Sequence, residues 1–236
     1  MGGFRTTRWS LVTDAAGLSA EAGAALAELC KLYWPPVHAF IRESVRRSGR
    51  DPSDALDLTQ SFFELIFERK DLANADPQRG RFRAWLLGAV KHFLANEGRR
   101  GRAKKRGGGT PVLSIDEHAA EGDLTHEPAD ALTPEHAYAR RWAHTVLDQV
   151  MCRLEHEQAT AGKRERFACL KRFLDGDEPV YDELASELGE PVGTLRVQVH
   201  RLRRRYRDLL RDEIAHTVET PAEVDDELRY LLAALL

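Results

Sequence analysis

The sequence predicts an all-α protein of two small helical domains joined by a flexible acidic linker, and three observations carry that reading. Leu, Ala, Arg and Glu are abundant while aromatics make up only 8% of the 236 residues, which favours helix over sheet. Apolar residues recur every three or four positions in stretches separated by Gly, Pro, Asn and Asp. The third observation is that charge is segregated along the chain. Six basic residues fall between Arg99 and Arg106, and seven arginines fall between Arg196 and Arg211 against one acid, Asp208. From Gly107 to Ala139 there is no Lys or Arg, while Asp116, Glu117, Glu121, Asp123, Glu127, Asp130 and Glu135 accumulate. The net charge of -3 is therefore a cancellation, and it does not argue against a nucleic-acid partner, which needs clustered rather than total positive charge.

In the first half, helices are expected over roughly Ala20 to Arg46, Asp51 to Glu68 and Phe82 to Arg99. The segments SGRDPSD and ANADPQRGR interrupt them with helix-stopping residues. Asp51, Pro52 and Asp54 together supply an oxygen cap, a proline at the first position and an acid near the positive helix end. After Arg106 the stretch RGGGTP and the acidic residues to about Leu132 have no sustained period, as expected of a linker. Thr133, Pro134 and Glu135 then read as the start of a helix through Trp142, Val146, Val150 and Leu154. Further helices are expected at Lys163 to Leu174, Tyr181 to Leu188 and Pro191 to Arg211. The tail from Thr217 holds one more short helix, with Val224, Leu228, Leu231 and Leu232 on one side. The expected division is residues 1–19 as an N-terminal segment, 20–106 and 133–212 as domains, 107–132 as linker and 213–236 as an extension.

Several function classes find no support. Cys30, Cys152 and Cys169 lack metal-ligand or disulfide spacing and are expected to be small buried hydrophobes in a reduced cytoplasm. No run of about 18 apolar residues suggests a membrane span. His92, His118, His126, His136, His144, His156, His200 and His216 are scattered, with no HExxH or Cys/His pairing. No catalytic residue, metal site or cofactor is therefore expected.

The most specific motif is YDELASELGEPVGTLRVQVHRL, residues 181–202. A helix-turn-helix needs a small residue where two helices cross, a glycine at the left-handed turn and apolar residues seating the second helix. Ala185, Gly189 and Val192 supply the crossing, turn and plug, and Leu195, Val199, Leu202, Tyr206 and Leu209 follow the rhythm of one buried face. That leaves Thr194, Arg196, Val197, Gln198, Arg201 and Arg204 pointing outward. Thr194, Arg196, Gln198, Arg201 and Arg204 are candidates for reading base edges in the major groove, and Arg203, Arg205 and Arg207 for phosphates.

On the helix from Asp51, the residues Leu56, Phe62, Phe63 and Ile66 are expected on a buried side, opposite a polar stripe of Asp54, Asp57, Gln60, Glu64 and Glu68. Periodicity alone makes that stripe a solvated face. The segment DALDLTQSFFELIF, however, resembles the polymerase-binding helix of sigma factors, and RGRFRAWLLGAVKHFLANEGRRGRAKKR resembles the FxxWL segment of extracytoplasmic-function (ECF) sigma factors. The order of segments, from Leu26 to Arg211, is that of sigma regions two and four, and the extra N- and C-terminal segments look like those of the longer planctomycete-type ECF group. The resemblance implies that Asp54, Asp57, Gln60, Phe63 and Glu64 dock on core RNA polymerase. It also implies that Asn74, Asp76, Arg79, Arg81, Arg83, Lys91, Arg99 and Arg102 hold the opened minus-10 strand, with the loop Asp71 to Arg81 enclosing an extruded base. The helix-turn-helix would then read the minus-35 duplex of promoter DNA.

On the apolar side of Phe82, Trp85, Leu86, Ala89, Val90 and Phe93, Trp85 is expected to serve the core rather than to stack on bases. The chain lacks the consecutive tryptophan pair of housekeeping factors, which implies a narrow promoter choice. An anti-sigma factor or other regulatory protein is a further partner the resemblance allows, and no membrane partner is implied. The linker's acids could follow the RNA exit path or mask a basic surface, and the tail could pack on the second domain, bind a partner or cap the fold. The rival reading is a stand-alone helix-turn-helix regulator that binds duplex DNA as a dimer.

Overall fold

The computed structural model describes residues 20–68, 81–106, 133–174, 181–218 and 222–236, together with positions 12, 14, 15, 17, 72, 75 and 220. Among these residues every regular element is helical. In chain order they are α1 (Ala20–Arg47), α2 (Asp54–Glu68), α3 (Phe82–Arg106), α4 (Pro134–Thr160), α5 (Arg164–Leu170), a 3-10 turn at Lys171–Phe173, α6 (Tyr181–Leu188), α7 (Val192–Ala215) and α8 (Glu223–Ala233).

The helices form where apolar period and end signals coincide, with two adjustments at the ends. α2 begins at Asp54 because Asp51 serves a turn first: its carboxylate accepts the Ser53 backbone N–H at 2.9 Å and the Ser53 hydroxyl at 2.7 Å. α3 continues past Arg99 to Arg106, so the basic run lies on its last turns, where cations are favoured by the helix dipole. α1 runs through Pro35 and Pro36, which cannot donate to the ladder; the burial of Pro36, Val37, Phe40 and Ile41 offsets the lost bonds.

Contacts divide the chain into two units, 1–145 with 215–236, and 146–214. The boundary thus falls inside α4, and the tail groups with the first unit rather than the second. The acidic stretch 107–132 lies outside the described residues. In the first unit α1 packs on α2 and α3. Phe62 sits 5.6 Å from Phe93 and 5.5 Å from Phe63, Phe63 stacks on Trp34 at 5.3 Å, and Tyr33 meets Phe82 edge-on at 5.1 Å. Trp85 is half-buried and stacks on Phe82 at 5.4 Å. A polar relay joins α1 to α2: the Thr59 hydroxyl donates to the Ala55 carbonyl at 2.7 Å, so the His38 Nδ1 at 3.1 Å must be the donor to the Thr59 oxygen. The second unit is built around Val150, Leu154, Phe167, Leu170, Phe173, Leu184, Leu195, Val199, Leu202 and Leu209.

Three sequence expectations about burial do not hold. Leu56, expected inside, is 56% exposed, because the buried face of α2 runs through Ala55, Leu58, Thr59, Phe62, Phe63 and Ile66. Cys152 is exposed on α4, while Cys30 and Cys169 are half-buried. On α8, Leu232 faces solvent and the buried row is Val224, Glu227 and Leu231, with a carboxylate taking a core position.

Candidate nucleic-acid interface

In the second unit the turn between α6 and α7 is set by Gly189, whose φ of +65° is open to glycine at no steric cost. The Glu190 N–H reaches back to the Ala185 carbonyl at 3.1 Å, closing the end of α6, and Pro191 accepts the first N–H groups of α7 from Thr194 and Leu195. Leu195, Val199, Leu202 and Leu209 bury one side of α7. Directly opposite, Thr194, Val197, Arg201 and Arg204 follow one another at steps of three, four and three, and all four are exposed. Arg196 is exposed beside this row, its guanidinium 5.5 Å from the Tyr181 ring centroid.

Gln198 does not belong to the outward row as expected. It is half-buried, accepting from Arg166 Nε at 2.9 Å and donating to the Glu190 carboxylate at 3.1 Å, while Arg166 also pairs with Glu190. The three side chains clamp α5, the turn and α7 together. Two of the arginines expected on phosphates, though exposed, are likewise bonded within the chain. Arg203 donates to the Phe173 carbonyl at 3.2 and 3.0 Å, and Arg205 forms two 2.8 Å bonds to Glu157, whose carboxyl is thereby held below its ordinary range. Arg207 reaches only its own helix, at 3.4 Å from the Arg203 carbonyl. Val197, 51% exposed in the middle of the row, is the residue that sequence reasoning did not count as a contact. Its place between Thr194 and Arg201 in the helical rhythm was the available signal.

On α2, Asp57, Gln60 and Glu64 are exposed, with Gln60 donating to Glu64 at 2.8 Å. Asp54 lies at the head of the row, 3.2 Å from Arg50. Phe63 does not join this surface: it is 5% exposed and packed between Trp34, Phe62 and Phe67. The exposed apolar side chain beside the acids is Leu56, one turn before Gln60.

Of the residues implied for the minus-10 strand, the described side chains of Arg81, Arg83, Lys91 and Arg99 are all engaged within the chain. Asn74, Asp76 and Arg79 lie outside the described residues, and Arg102 is on α3. Lys91 pairs with Glu135 of α4 at 2.9 Å, and Arg99 donates to Asn96 at 2.6 Å, both at the surface. Arg83 points inward, contrary to an open DNA contact. Its guanidinium bonds both oxygens of Glu227 on α8, at 2.6 and 2.9 Å, and lies 3.9 Å from the Tyr230 ring centroid and 5.1 Å from that of Trp142. Burial works against its charge, but the Glu227 carboxylate outweighs this and raises the Arg83 pKa. Arg81, one-quarter exposed, pairs with the same carboxylate.

Among the described residues no three His, Cys, Asp or Glu side chains gather to hold a metal ion, and no helix is long and apolar enough to cross a membrane. No solved structure matches the chain. Among curated proteins it is similar to the ECF RNA polymerase sigma factor SigE of Mycolicibacterium smegmatis, 28% identical over 180 residues, which cover 76% of this chain and 60% of that protein. The family model described as "ECF sigma factor" matches residues 24–212, taking in α2, α3 and the whole helix-turn-helix. Because that one family model spans most of the chain, the protein belongs to the ECF sigma factors.

Proposed function

We propose that this chain is a non-catalytic RNA polymerase subunit that directs transcription initiation from a two-part promoter. The first unit docks on core polymerase through Asp54, Asp57, Gln60 and Glu64 with Leu56 as the apolar contact. The loop and helix from Asn74 to Arg102 hold the opened minus-10 strand. The row Thr194, Val197, Arg201 and Arg204, flanked by Arg196, reads the minus-35 duplex. Arg201 and Arg204 can bond guanine edges or phosphates, and Val197 can meet a thymine methyl group. Two modest DNA contacts on one polymerase reinforce each other through effective concentration, so neither surface needs high affinity alone. A subunit that acts on promoters with core polymerase works in the cytoplasm, which is where we infer this chain resides.

The observation that carries the reading is the outward row on α7, because it leaves polar and apolar groups free opposite a buried face within a helix-turn-helix. Run-off transcription with core polymerase on a randomised template pool tests it. The expected product is a set of transcripts whose templates share a minus-35 and a minus-10 motif at fixed separation. Binding of a palindromic duplex by a dimer, with no polymerase-dependent transcript, would overturn it.

A further inference from the structure

The C-terminal helix lies beyond the family match, which ends at residue 212, yet it makes the most fully buried charged contact among the described residues. Glu227 is wholly buried and the Arg83 side chain is 11% exposed. Two ring faces, Tyr230 from α8 and Trp142 from α4, flank the guanidinium, and the Tyr138 hydroxyl donates to the Arg83 backbone carbonyl at 3.1 Å. Arg83 is in the first turn of α3, and Arg81 is the residue through which the chain enters that helix. A buried ion pair held at both oxygens and between rings is a permanent fixture: removing either partner strands the other charge without water. The carboxylate therefore fixes the head of α3 from outside the helix.

We propose that Glu227 is a positioning residue for the minus-10 site, setting the start of α3 through Arg83 and Arg81, and that α8 is a working part of the promoter-opening module. The inference rests on the sigma-factor reading and deepens it. It makes Arg83 an internal anchor that does not touch DNA. It also gives the extension a role distinct from masking: a mask must leave, and α8 must stay.

The test uses the full chain with core polymerase. Opening is followed by the fluorescence of 2-aminopurine in the minus-10 element, and duplex binding by a minus-35 fragment. Glu227→Gln should lower opening roughly tenfold, as small misplacements of a positioned group do, with minus-35 affinity unchanged, and Glu227→Asp should recover most of the loss. The double variant Arg83→Met, Glu227→Met replaces the buried pair by apolar packing and leaves the one-quarter-exposed Arg81 to water; because Arg83 is the main link, it should open promoters nearly as well as the parent. Faster opening or stronger single-strand binding by Glu227→Gln would make α8 a mask and overturn the proposal, as would an unchanged rate. Should Glu227→Gln fail to fold, the double variant decides: loss of opening with intact helix content and minus-35 binding would make Arg83 a DNA contact. A parent protein that opens no promoter would instead defeat the sigma-factor reading itself.

Discussion

Gln198 and Val197 are neighbours on α7 with opposite fates, and the difference decides what each substitution does. The Gln198 amide is spent on Arg166 and Glu190, whereas Val197 stands exposed in the reading row. Gln198→Ala should cost the second unit about 1–2 kcal/mol by leaving a charged hydrogen-bond clamp incomplete, with base preference unchanged. Val197→Ala should leave thermal stability within about 0.5 kcal/mol and weaken discrimination at one thymine-bearing position. Denaturation curves and binding to a panel of minus-35 duplexes separate the two. The helical rhythm made the row legible in sequence, but not the fate of Gln198. That depends on Arg166, 32 residues away, and a partner at that distance leaves no local signature. The same holds for Arg83 and Glu227, 144 residues apart, which is why a buried arginine could pass for a DNA contact.

At the scale of the element, α2 is amphipathic in a way its pattern conveys with one error of register. Phe62, Phe63 and Ile66 go inside as expected, and Leu56 alone goes outside, because the buried face runs through Ala55, Leu58 and Thr59 instead. The exposed row that remains supports a sharp expectation. Asp57→Lys should abolish retention of the chain by immobilised core polymerase while leaving binding of the minus-35 duplex intact; loss of both would mean that the helix, not the charge, had been disturbed. The α1 side of this packing titrates, through His38 beside Thr59. Burial, and then the Arg42 charge, hold the His38 imidazole below its ordinary value of 6.5. The unfolded chain therefore binds the proton more readily, and the stabilisation present above that value is lost as pH falls through the lowered one. As pH falls below the ordinary value of 6.5, thermal unfolding midpoints should drop more steeply in the parent than in His38→Gln.

For the whole molecule, neither the net charge of -3 nor the count of seven arginines on α7 tells how many of them the fold leaves outside its own hydrogen bonds. Arg203 and Arg205 are bonded to the Phe173 carbonyl and to Glu157, which on the proposed reading leaves Arg196, Arg201 and Arg204 as the main cations for a duplex. Each phosphate neutralised releases counterions and adds about 0.9 to the slope of log affinity against log salt. Were all seven arginines engaged, the slope for the minus-35 duplex would approach about -6; with three or four it should lie near -3. Arg205→Ala should leave that slope unchanged while modestly lowering stability at neutral pH, and the difference from the parent should disappear as acid protonates Glu157, whose carboxyl Arg205 holds below its ordinary value; the pair is partly solvated, so the effect is small. Arg204→Ala should reduce the slope by about 1 if it meets a phosphate, or relax base choice at constant slope if it meets a base edge. A salt titration of the parent and these two variants thus counts the arginines the fold keeps for itself, a quantity that composition cannot supply.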